Sequence, residues 1–152
     1  MNAWQQVVVL AYGLINLLVS VKGVYESKNN KAAYGLTPYL TPLGIFAWGD
    51  AVIFGGFWTL ASIITIVLKD WYLFLLIVSV FWLVRSLGET IYWFNQQFSS
   101  KTYDWNKPEK LAFHSIFHND SIWFIYQIIW QCTTVISIIF SIYFAKMWLG
   151  SL

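Results

Sequence analysis

Asp50, Arg85 and Glu89 are ionisable residues set in stretches that otherwise hold almost only apolar side chains. A charge at the centre of a bilayer costs roughly 2.5–3.5 kcal/mol on insertion scales, so such groups pair with one another or serve an ion or ligand. Arg85 and Glu89 are four residues apart, on one face of a helix and within reach of an ion pair. If Asp50 meets them at the same depth, two carboxylates surround one guanidinium and one negative charge is left over. That is the electrostatics of a cation or proton site. The competing readings are a staple that pins two spans and a contact with a partner subunit.

Polar side chains extend the constellation. Tyr92 and Gln96 continue the face of Arg85 and Glu89, while Asp120, Gln127, Gln131, Thr134 and Ser141 share a face further on. Near the N-terminus Gln5, Tyr12, Asn16 and Ser20 do the same. Polar groups in hydrocarbon cost several kcal/mol each unless satisfied, so these faces are expected to point inward. The expected ligand or ion site is therefore Asp50, Arg85, Glu89, Tyr92, Gln127 and Gln131, lining a polar interior. The plainer alternative is hydrogen-bonded glue between helices, worth only ~0.6 kcal/mol per contact.

His114 and His118 are spaced i,i+4, and with Asp120 they are weak candidates for a metal site. They are the only histidines, and Cys132 is the only cysteine, which excludes thiolate cages and many-histidine di-iron centres. The residues name no cofactor. Ser115 lies between the histidines, but neighbours in sequence do not face each other on a helix, so no nucleophilic triad is legible. An enzyme acting on a lipid or polyprenyl substrate with a histidine base ranks behind the other readings. It would need arginines to grip phosphate, and Arg85 is the only one.

The elements that must position these residues are membrane spans. Of the 152 residues 59% are apolar and 11% charged, where a soluble domain carries about 25% charged residues. Apolar runs at residues 3–21, 42–68, 71–94 and 121–145 are each of the length a helix needs to cross hydrocarbon. The expected fold is an all-α integral membrane protein, one domain over residues 1–152, with four transmembrane helices in an antiparallel bundle. Lys22 directly follows the first run, and no basic segment or small-residue cleavage pattern marks that run as a signal peptide.

The connections at 22–41 and 95–120 hold six lysines, and the opposite side holds Lys69 and Lys146. This places both connections in the cytoplasm and both termini outside. Pro42 is expected to open the second span, putting Asp50 about 12 Å along it. Asn106, with Pro108 and Glu109 following, reads as the cap of a short cytoplasmic interfacial helix over residues 107–118. Gly49, Gly55 and Gly56, with Ala47, Ala51 and Ala61, make parts of the second span thin, and Gly49 and Gly56 are one heptad apart; a close helix approach is the expected use.

Two functions follow. One is a small membrane protein that binds or passes a small ligand or ion. The other is a non-catalytic accessory or assembly subunit of a larger membrane complex, consistent with 31 Phe, Trp and Tyr residues. The expected partners are the lipid bilayer and a homo-oligomer or larger complex. A net charge of +2 is too small to argue for nucleic acid.

Overall fold

In the computed structural model residues 1–99 and 103–151 are described; Lys101, one of the lysines counted for topology, lies outside the described residues. Four long helices carry the fold: α1 (Ala3–Asn29), α2 (Trp48–Leu68), α3 (Trp71–Phe98) and α4 (Ser121–Leu149). All four are long and apolar enough to cross a membrane. They belong to two compact units. The first is Met1–Ile77 with the segment beginning at Met147; the second starts at Val78 and ends at Lys146.

In the first unit α1 and α2 pack antiparallel along a seam of small residues. Gly13, Asn16, Ser20 and Gly23 recur at alternating three- and four-residue steps and meet Ala51, Gly55 and Ser62. A Cβ placed on Gly55 would sit 2.8 Å from the Asn16 carbonyl oxygen, and one on Gly13 2.8 Å from the Ser62 Cβ. Such close backbone approach maximises van der Waals packing, which drives helix association where lipid removes the hydrophobic effect. Ser20 Oγ donates to the Val52 carbonyl at 3.0 Å across the seam. Of the small residues expected to permit a close approach, Gly55 and Ala51 are in the seam, and the heptad pair Gly49 and Gly56 is not. Gly56 is exposed, Gly49 packs on the Ala33 backbone, and Gly55 enters the seam. At 100° per residue Gly55 shares its face with Ala51 and Ser62, while Gly49 and Gly56 do not.

The second span also starts later than expected. Residues Pro38–Leu43 coil into a 3₁₀ turn, and Gly44 reverses the chain in the left-handed region at φ 72°. Leu36 and Ala47 then form a β-bridge, and the Trp48 N–H donates to the Gly35 carbonyl. Leu40, Ile45 and Ala51 bury one another beneath this loop. The α-helix therefore begins at Trp48, not Pro42. Asp50 lies in its first turn instead of about 12 Å along it.

Helices α2 and α3 join through Lys69 and Asp70. Lys69 takes the left-handed conformation that closes α2, its N–H bonding to the Ile66 carbonyl. Asp70 Oδ1 accepts from the Leu73 N–H at 3.0 Å and starts α3.

In the second unit α3 and α4 are antiparallel, with Ser86 opposite Thr134 and Gln97 opposite Gln127. A short helix precedes α4, but it is a single 3₁₀ turn, Pro108–Lys110. It does not extend to His118. Phe113 and Asn119 both take positive φ, at 69° and 55°, and a non-glycine residue there cannot continue a right-handed helix.

Candidate functional site

A buried polar cluster lies in the second unit, where the last turns of α3 meet the connection into α4. Asn106 is its centre. It is 2% exposed, and its Nδ2 donates to Tyr92 Oη at 2.6 Å and to Gln96 Oε1 at 2.8 Å. Its backbone carbonyl accepts from Trp123 Nε1 at 2.9 Å. One loop residue thus ties α3 to the first turn of α4. Trp93, Ile122 and Trp123 form the apolar floor, joined by Leu111, Phe117 and Tyr126. The Trp93 and Tyr126 rings lie 4.7 Å apart. Trp93 Nε1 is buried without a hydrogen-bond partner among the described residues, a strained feature for a donor-only group.

Further along the same helix pair, Gln97 Nε2 donates to Gln127 Oε1 at 2.7 Å. Deeper still, Thr134 Oγ1 donates to Ser86 Oγ at 2.9 Å. Arg85 and Glu89 form the expected i,i+4 ion pair at 3.4 Å, with side chains 19% and 15% exposed. Asp50, in the first unit, accepts the Phe46 N–H on Oδ2 at 3.1 Å and so braces the loop leading into its own helix.

Arg85 meets Glu89, Tyr92 meets Asn106, and Gln127 meets Gln97. Gln131 is exposed on α4. His114, His118 and Asp120 are all exposed on the connection before α4, which is turns and not the helix that i,i+4 ligation assumes. Among the described residues no three His, Cys, Asp or Glu side chains are grouped to hold a metal ion.

Asn106 and Gln97 are the residues the sequence reading missed. Asn106 has the pattern of a helix cap, and only its burial reveals a different task. Gln97 lies one residue beyond the polar stripe of α3, and nothing in its spacing marks it.

Outside the spans, Asp104 forms ion pairs with Lys107, at 2.9 Å, and with Lys110. Hydrogen bonds from Lys110 and then Lys107 hold its carboxyl at about 2, below the ordinary value of 3.8.

The arrangement can hold helices in register and fix the connection into α4. Among the described residues its amides and hydroxyls are hydrogen-bonded. The chain matches no family model, no curated protein and no solved structure.

Proposed function

We propose that this chain is a non-catalytic accessory or assembly subunit of the membrane, acting through contacts between its spans and other spans. One observation carries the reading: four of the six side chains expected to face a ligand are engaged by other side chains. Gln127 is taken by Gln97, Tyr92 and Gln96 by Asn106, and Arg85 by Glu89. The Gln97–Gln127 bond fastens α3 to α4, and Asn106 fastens the connection to α3. The aromatic load suits burial against partner chains. The excess of lysine on the two long connections supports their placement in the cytoplasm with both termini outside. A prokaryotic plasma membrane is the home that so compact a chain suggests.

A second reading, binding or passing a small ligand or ion, keeps one observation in its favour. Arg85 and Glu89 lie mid-helix, and each remains partly exposed. An intramembrane ion pair within reach of an incoming ion is a functional position by default.

Extraction in native lipid followed by native mass spectrometry separates the two. The subunit reading expects an assembly of several chains. A lone chain carrying the mass of one small molecule or ion, lost on Glu89→Gln, would replace it with the second reading.

A further inference from the structure

Phe124, Ile128, Gln131, Val135, Ile138 and Ile142 recur along α4 at alternating steps of four and three residues, and all six are exposed. That average of 3.5 residues is the repeat of two helices wound left-handedly about each other. Five of the six are apolar. The sixth, Gln131, lies about 15 Å from the helix start and about 6 Å from its midpoint, at 1.5 Å per residue. It makes no side-chain hydrogen bond among the described residues. The other polar groups nearby are engaged: Gln127 with Gln97, Thr134 with Ser86, and Thr133 with the carbonyl of Ile129 on its own helix. Gln131 is thus an amide near the middle of a span, facing outward. An amide there requires a partner that lipid tails do not supply.

We propose that this seam is the contact surface for a second copy of the chain, with each Gln131 hydrogen-bonded to its twin. The inference rests on the subunit reading and names the first partner. Two features select a second copy over a foreign span. A primary amide is both donor and acceptor, so it complements itself across a twofold axis. Two copies inserted in the same orientation place Gln131 at the same depth. A single polar residue in an otherwise apolar seam sets the register of the helices it joins. Aligned on the heptad, the amides meet without any helix having to slide.

The test is a cysteine scan of the full chain in its native membrane, in a Cys132→Ser background. Single cysteines replace Ile128, Val135 or Ile142 on the seam, and Ile129 or Ile136 beside it. Mild oxidation is expected to give disulfide-linked homodimers at the seam positions in several-fold higher yield than at the flanking ones. Losing the paired amides through Gln131→Leu is expected to weaken the dimer roughly five- to tenfold. Gln131→Asn, which keeps an amide, and Thr134→Val, which removes the bonds to Ser86 and to the Trp130 carbonyl on its own helix, are expected to retain it. Because Gln131 is exposed, its own substitutions leave each unit's packing intact. Equal yields at all positions, or higher yields at the flanks, overturn the proposal. Seam cross-links to a different protein overturn the second-copy assignment and leave the subunit reading standing. A lone chain with no adduct at any position overturns both.

Discussion

Replacing Asn106 with alanine deletes two side-chain hydrogen bonds, to Tyr92 Oη at 2.6 Å and to Gln96 Oε1 at 2.8 Å. It leaves the backbone carbonyl to accept from Trp123. The two bonds do not weigh equally. Tyr92 is 39% exposed, so its hydroxyl can turn to water or headgroups and loses about 0.5 kcal/mol. Gln96 is 5% exposed. Its loss falls nearer the 1–3 kcal/mol range for a buried group deprived of a partner, at about 1.5–2 kcal/mol because Gln96 keeps other interactions. The sum is about 2–2.5 kcal/mol, or roughly 30- to 70-fold in the unfolding equilibrium.

Equilibrium unfolding in mixed micelles, followed by tryptophan fluorescence, measures that sum. Hydrogen exchange at the Trp123 indole N–H reports the same event locally, because slackening of the loop frees that proton. Tyr92→Phe alone is expected to cost about 0.5 kcal/mol, and adding it to Asn106→Ala to cost almost nothing more. If Asn106→Ala stays within about 0.5 kcal/mol of the native chain and Trp123 exchange is unchanged, the loop is not held by this residue.

The seam of the first unit predicts opposite outcomes at adjacent glycines. Gly55→Ala forces a Cβ to within 2.8 Å of the Asn16 backbone oxygen and is expected to cost about 1–3 kcal/mol in thermal unfolding. Gly56→Ala meets nothing closer than Ser20 Oγ at 4.0 Å and is expected to be neutral or stabilising by up to about 1 kcal/mol. Lys69→Gly relieves a left-handed residue at φ 53° and is expected to stabilise by about 1 kcal/mol. The carboxyl of Asp104 is expected to titrate near 2 by carbon NMR and to move up toward 3.8 in Lys110→Met. Its folded value lies below the unfolded one, so its contribution is complete above 3.8 and is lost as the pH falls through about 2. A native midpoint near 3.8 would remove the ion pairs from solution.

Much of the architecture was legible because one-dimensional patterns decide it. Apolar runs of span length and a scarcity of charge forced four membrane-length helices, whatever packing followed. The Arg85–Glu89 pair came from spacing alone, since four residues make little more than one helical turn. Asn16 was expected on an inward face, and it is fully buried.

The expectations that differ depend on the path of the backbone. Pro42 is a sound helix opener, yet the loop finds better burial by folding Leu40 and Ile45 over Ala51, which delays α2 to Trp48. Residues 107–118 have an amphipathic pattern, but the positive φ at Phe113 interrupts it, and no local rule forecasts a strained phenylalanine.

The sequence by itself determined the number and length of the spans and which side chains are too polar for lipid, because transfer free energy depends on residue type and run length. Only the tertiary structure decided which polar groups meet. It assigned Asn106 to Tyr92 and Gln96, and Gln127 to Gln97, and it left Gln131 facing outward. A hydrogen bond acts over about 3 Å, and distances on that scale between residues ten to thirty apart are set by how helices and loops pack.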